Sequence, residues 1–150
     1  VRRLIALRKE YPLLRRGRFF EGLYDEEFDI RDVSWLTPAG ALMEESHWHD
    51  AEARALGMLL DGRAQPTGLR QPGAETTLLL LVNAHHEAVD FNLPDLPERL
   101  GWRRLIGTDD ESDPGRRYEA GTTLTLPGRS VVLLRTGRHR TETPPRRRIA

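Results

Sequence analysis

A chain of 150 residues is long enough to bury a hydrophobic core of its own and reads as one domain of ordinary size. Its 23 basic residues balance its 23 acidic ones, so no global field draws it to nucleic acid or to an anionic membrane. The absence of cysteine excludes disulfides, thiolate metal sites and a thiol nucleophile, and the apolar run 78–82 falls far short of the ~20 residues a membrane-spanning helix needs.

Leu4, Leu7, Tyr11 and Leu14 recur at three- and four-residue steps, with no Gly or Pro among the first ten residues. This spacing predicts an amphipathic helix that ends near Pro12, because the residue before a proline avoids the helical region. The chain opens on Val1 rather than on methionine and shows no signal peptide. It therefore reads as a fragment of something longer, whose targeting this end does not reveal. Lys9 is the sole lysine and every other basic side chain is arginine, a bias that points to a GC-rich genome more than to a physical role.

Beyond the helix the pattern changes to short apolar runs separated by Gly, Pro, Asn and Asp. The predicted strands are 19–23, 33–36, 56–60, 78–84, 88–93, 102–107, 122–126 and 130–135. Val89, Phe91 and Leu93 alternate with Asp90 and Asn92, and Leu124 and Leu126 alternate with Thr123 and Thr125. A period of two with one polar side belongs to a sheet with one face in water. Leu78 to Val82 and Val131 to Leu134 are apolar on both sides and should be central strands. Residues 78–94 read as two strands joined in a hairpin with His85 and His86 at its corner, and Pro127-Gly128 marks a tight turn. The expected fold is all-β, an antiparallel sandwich of about eight strands with one short N-terminal helix. Residues 43–54 are polar and free of Gly and Pro, fit for a helical turn or an ordered loop. Residues 61–74 read as a mobile loop, and 138–150, with Pro144-Pro145 and Arg146-Arg147-Arg148, as a disordered tail.

Each group able to carry chemistry has a plainer reading beside it. His47 and His49 would share a face if they lay on a strand, and with Asp50 they could chelate zinc or nickel. They lack a third ligand at a recognisable spacing, and a solvated loop accounts for them. His85-His86-Glu87 contains the histidine pair, but neighbouring residues on a strand point to opposite faces, so a polar turn is the simpler reading. Asp109-Asp110-Glu111-Ser112-Asp113 is rich in carboxylates yet lacks the alternating Asp-x-Asp-x-Asp-Gly pattern of a calcium loop. Arg146 to Arg148 could touch phosphate, but no aromatic residues are interleaved with them. Trp35, Trp48 and Trp102 could stack on sugar rings. Trp35 and Trp102 sit inside strand patterns and should be core, which leaves Trp48 as the candidate substrate-binding side chain. No phosphate loop, nucleophile elbow or scaffolded carboxylate pair is present, so neither catalytic residues nor a metal or cofactor site is assigned.

The order of the motifs carries further information. Leu4-Ile5-Ala6-Leu7-Arg8-Lys9-Glu10-Tyr11-Pro12-Leu13-Leu14 is followed by Arg18-Phe19-Phe20-Glu21-Gly22, then by Asp32-Val33-Ser34-Trp35-Leu36-Thr37-Pro38-Ala39-Gly40 and Met43. Trp48, Leu56-Gly57-Met58-Leu59-Leu60-Asp61-Gly62, the stretch 80–94, Trp102, Thr108-Asp109 and Arg129-Ser130-Val131-Val132-Leu133-Leu134 complete the series. From about Leu4 to Arg135 the chain resembles the C-terminal end of bacterial glycogen debranching enzymes of the isoamylase type, in the α-amylase superfamily. It departs at Ala39, where Asp is common, and over 65–74, which match loosely.

The resemblance implies a parent with an N-terminal sandwich, a catalytic (β/α)8 barrel and this C-terminal all-β domain. It implies a cytoplasmic glycoside hydrolase of glycogen catabolism that cleaves α-1,6 branches in glycogen or limit dextrin. No position here matches the catalytic motifs, so the chain itself is expected to be inactive and to stabilise the barrel. A carbohydrate-binding module touching glycogen is the alternative. Residues 1–16 would be the last helix of the barrel or its exit link, 17–137 the sandwich, and 138–150 the tail. A helix parted from its barrel must bury Leu4, Leu7 and Tyr11 elsewhere, by folding back onto the sandwich or by pairing with a second copy in a homodimer.

Overall fold

The structure, a computed structural model, describes residues 1–15, 20–22, 24–25, 30–62, 76–95, 101–109 and 115–137. Helix α1 spans Arg2–Glu10 and is followed by a 3-10 turn, Pro12–Arg15. Arg, Leu, Ala, Lys and Glu are good helix formers, and Arg8 and Lys9 lie in the last turn where the dipole favours cations. Tyr11 ends the helix with φ −105° and ψ 101°, the extended geometry that Pro12 requires of its predecessor.

The strands are β1 (Tyr24–Asp25), β2 (Ile30–Arg31), β3 (Val33–Leu36), β4 (Ala55–Asp61), β5 (Thr77–Asn83), β6 (Val89–Asn92), β7 (Gly101–Gly107), β8 (Arg117–Tyr118), β9 (Thr123–Leu126) and β10 (Ser130–Gly137). A short helix α2, Glu45–Trp48, lies between β3 and β4. One sheet runs β3-β4-β5-β10-β7-β8, a second is β6-β9, and β1-β2 forms a separate ribbon; every pairing is antiparallel. The expected eight-stranded antiparallel sandwich is therefore present, as a six-stranded sheet facing a two-stranded one.

The leucine runs are apolar because the large sheet is covered on both faces. Leu79, Leu81, Val132 and Leu134 point into the sandwich core with Phe91, Leu93, Leu124, Leu126 and Trp102. Leu78, Leu60, Val33 and Leu105 point the other way, into a second core closed by Leu7, Tyr11 and Leu13 of the N-terminal segment. Leu7 and Tyr11 thus fold back onto the sandwich, while Leu4 stays 57% exposed. The outer face of β6-β9 is wet, and its polar residues pair across the ladder. The Thr125 hydroxyl donates to Asp90 at 2.6 Å and the Thr123 hydroxyl to Asn92 at 3.1 Å.

Two expectations about the strands change. Residues 20–22 are not strand, since Gly22 has φ 68°, outside the extended region; 19 and 23 lie outside the described residues. The β1-β2 ribbon takes up the pairing just beyond them, and β8 is too short to show a period. The larger change concerns 78–94, which is not a hairpin. β5 pairs with β4 and β10, whereas β6 pairs with β9, so the segment crosses from one sheet to the other. The Pro127-Gly128 turn makes the same crossing in reverse, from β9 to β10.

The two crossings are tied together by Asn83, which is 1% exposed. Its amide nitrogen donates to the carbonyls of Glu87 at 2.9 Å, Leu126 at 3.1 Å and Pro127 at 3.0 Å. Its oxygen accepts the His85 backbone N–H at 2.9 Å. The Arg129 N–H donates to the His85 carbonyl at 2.9 Å, and the corners approach so closely that a Cβ on Gly128 would collide with the His86 carbonyl.

Candidate functional site

The β5-β6 corner, the Thr37-Pro38 turn and the segment after α2 surround an open groove of about 640 Å3. His47, Asp50, Glu52, Arg54, His85 and Glu87 supply its polar wall, and Pro38, Met43, Ala55 and Val89 its apolar one. The helical turn expected within 43–54 is present as α2, and it decides how the histidines are used. Glu44 and His47 form a capping box at the start of α2, in which the His47 ring Nδ1 accepts the Glu44 N–H at 2.9 Å. The His49 Nδ1 donates to the Glu45 carbonyl at 2.9 Å. On a helix, residues two apart point in different directions, so His47 and His49 lose the shared face on which a metal reading with Asp50 depended.

At the other wall the correction runs the opposite way. His85 and His86 lie in a bend rather than on a strand, and their rings come together at a centroid distance of 4.2 Å, tilted by 35°. Ligand atoms of His85, His86 and Glu87 all fall within 4.8 Å of one another. The His85 Nδ1 lone pair is already engaged, accepting the Glu87 N–H at 3.1 Å, so the trio stiffens the corner. The His86 Nε2 stands 3.9 Å from the Glu87 carboxylate, with both side chains well exposed. Hydrogen bonding to a polar ligand is the chemistry this groove offers.

The tryptophans divide differently from expectation. Trp102 is core, 1% exposed, and its indole N–H donates to the Pro94 carbonyl at 3.1 Å. Trp35, also expected in the core, is 37% exposed on the edge strand β3. Its period-two partner Val33 is covered by the N-terminal segment, but at Trp35 the covering element is Trp48. The two rings meet edge to face at 5.5 Å and 81°, with Trp48 51% exposed. Leu42, bridged to Leu36, adds exposed apolar surface to the same region. The Met43 N–H donates to the Trp35 carbonyl at 2.8 Å, which joins this aromatic step to the groove that Met43 lines.

Polar groups also cluster on both faces of β7, Arg104 on the side of Trp102 and Arg103 on the side of Leu105 and Tyr11. Arg104, 4% exposed, forms a two-pronged ion pair with Asp109, and this bond holds its guanidinium more firmly charged. Burial pushes the Tyr11 phenol up from the ordinary tyrosine range, although Arg135 pulls it down. Asn83 and the cross-strand arginines near Tyr11 are what the sequence did not mark as special, and Trp35 is what it assigned to the core. Strand alternation could have placed Arg103 on the face opposite Trp102, but its partner Arg135 needed the register. The acidic residues 110–113 and the arginines 146–148 lie outside the described residues.

Residues 32–135 match the family described as the C-terminal domain of isoamylase. The chain is 33% identical over 138 residues to the glycogen operon protein GlgX homolog of Mycobacterium bovis, covering 89% of this chain and 19% of that protein. It is 26% identical over 142 residues to the isoamylase of Pseudomonas amyloderamosa, covering 88% of this chain and 16% of the relative. Among solved structures, the type I pullulanase of Bacillus subtilis matches 89% of this chain and 14% of its own, at 22% identity and a TM-score of 0.46. The chain thus spans less than a fifth of the length of these relatives.

Proposed function

This chain belongs to the isoamylase C-terminal family, and from that premise we propose that it serves as the non-catalytic C-terminal sandwich of a glycogen debranching enzyme. The parent hydrolyses α-1,6-glucosidic branches in glycogen or limit dextrin with retention, using two carboxylates carried on a (β/α)8 barrel outside this chain. The observation that carries the reading is the extent of the family match, which runs from the start of β3 into β10 and so takes in all eight strands of the sandwich.

The role of the domain is to stabilise that barrel, and α1 is where the two meet. α1 buries Leu7 against the large sheet, while Ile5, two residues earlier and so on the far side of the helix, is half exposed, as is Leu4 at the start of the buried stripe, and Val1 just before the helix is more exposed still. A helix apolar in two directions suits a position between two bodies. This supports the division into a barrel-derived helix or link at 1–16, a sandwich at 17–137 and a tail at 138–150. Of the three residues expected either to fold back onto the sandwich or to pair with a second copy, Leu7 and Tyr11 fold back, so the exposed apolar side is assigned to the parent barrel rather than to a homodimer. The reading places the parent in the cytoplasm with its glycogen.

The test is to assay the 150-residue chain beside its full-length parent on a branched glucan. The parent is expected to release linear chains and the fragment none. Debranching by the fragment alone would overturn the proposal.

The edge-to-face pair of Trp35 and Trp48 favours a second reading, in which the domain also holds glucan. Exposed indole rings offer faces on which the C–H side of a glucose unit can stack, and the adjoining groove supplies hydrogen-bonding groups. Titration with maltoheptaose should change tryptophan fluorescence at millimolar sugar, and Trp48→Ala should abolish the change. A flat titration of the intact domain rejects this reading.

A further inference from the structure

Arg103 on β7 and Arg135 on β10 are direct cross-strand partners. Like charges in that relation repel, and a fold has no stability reason to juxtapose them. Neither guanidinium has a hydrogen-bond or ion-pair partner among the described residues. Both line a polar pocket of about 230 Å3 between α1 and the β7-β10 ladder, together with Arg3, Glu10, Tyr11 and Arg104.

Among the described residues the neighbours do not neutralise the pair. Arg104 is committed to Asp109. Arg3 reaches across from α1 and donates to the Leu105 carbonyl at 2.5 Å, which fixes its guanidinium beside the pocket without satisfying its charge. Among the described residues that line the pocket, the guanidiniums of Arg3, Arg103 and Arg135 stand against the one carboxylate of Glu10, which leaves two positive charges in excess. A phosphate group carries close to two negative charges near neutrality, and its oxygens match the planar fork of a guanidinium.

We propose that the pocket lined by Arg3, Arg103 and Arg135 binds a phosphate group, either free or as the monoester of a small molecule. The two guanidiniums of the cross-strand pair, side by side on one face of the ladder, each offer a donor fork to its oxygens. Tyr11, buried and lining the pocket, adds a hydroxyl that is hydrogen-bonded to Glu10. The volume is enough for one phosphate group and a small substituent.

Thermal melts of the 150-residue chain in inorganic phosphate, in glycerol 3-phosphate and in chloride at matched ionic strength provide the test. Both phosphates should raise the Tm with dose and chloride should not. Equal affinities identify free phosphate as the ligand, and tighter binding of glycerol 3-phosphate identifies a monoester. The double variant Arg103→Gln/Arg135→Gln should bind phosphate about ten-fold or more weakly. In phosphate-free buffer it should melt no lower than the natural sequence, because a repulsion has been removed. The single variant Arg103→Gln, at an exposed position, reads out the same loss independently. Stabilisation by phosphate no greater than by chloride, or a response retained in the double variant, would overturn the proposal.

Discussion

Replacing Asn83 by Ala probes the junction on which the sandwich turns. The side chain is 1% exposed and joins four backbone groups from both sheet crossings. Its amide has two hydrogens for three carbonyls, so their contributions are not three full bonds. Stranding the buried Leu126 carbonyl costs about 1–3 kcal/mol, and losing one further amide bond and the bond from the His85 N–H costs about 1 kcal/mol each. The sum, about 3–5 kcal/mol, is a large part of the ~5–15 kcal/mol that holds a domain of this size. Urea unfolding followed by the fluorescence of buried Trp102 measures it, and the midpoint should fall with little change in slope.

Asn83→Asp sharpens the same argument. It keeps the shape and the acceptor but turns a carboxylate toward three carbonyls, so its folded pKa must lie above its unfolded value of about 3.9. For such a group the stabilising, protonated form is fully present below the unfolded pKa and is lost as pH rises through the folded one. The variant should therefore be weak at neutral pH and recover on acidification, relative to Asn83→Ala measured alongside. A cost below about 1 kcal/mol for Asn83→Ala, or an Asn83→Asp domain as stable as the natural one at pH 7, would refute the claim that this amide holds the corner.

Three further outcomes are expected. Removing one partner of the buried Arg104–Asp109 pair, as in Asp109→Ala, should destabilise by about 3–5 kcal/mol. In a double-mutant cycle with Arg104→Met the losses should be strongly non-additive, and additive losses would show that the two groups act separately. Leu4→Lys with Ile5→Lys should change the stability of the 150-residue chain by no more than about 0.5 kcal/mol per site while lowering the Tm of the full-length parent; a large loss in the fragment would mean that the chain itself covers these side chains. The raised pKa of Tyr11 means that its stabilising, neutral form is fully present below the unfolded pKa of about 10 and is lost as pH rises through the folded value. Tyr11→Phe should therefore reduce the alkaline fall in stability measured by urea unfolding at stepped pH, and an unchanged fall would assign it to other groups.

Much of the fold was legible because burial leaves a periodic trace. Val89, Phe91 and Leu93 against Asp90 and Asn92 announce a strand with one wet face, and the structure places Phe91 and Leu93 in the core. Four consecutive leucines announce a strand covered on both faces, although not what covers the second one. The candidate groove was less legible, since the distance between His47 and His85 along the chain carries no hint that both line it. Adjacent histidines were read by strand geometry, but a bend turns both rings to the same place.

The residues alone determined that this chain is an antiparallel sandwich led by a short helix, because alternation, apolar runs and proline act within a few residues of one another. Their ordered motifs also determined the family. Tertiary structure decided which strands pair. β5 and β6 are joined by a five-residue corner and look like a hairpin, yet β5 takes β10, some fifty residues away, and β6 takes β9. Backbone hydrogen bonds are available to any strand edge, so adjacency in sequence does not choose between partners. The choice falls to the packing of two separate cores and to one buried amide, Asn83, whose four partners meet only once both crossings are made. For the same reason the facing arginines, Arg103 and Arg135, are two unremarkable surface charges in the sequence and become a phosphate-sized cluster only in the register of the folded sheet.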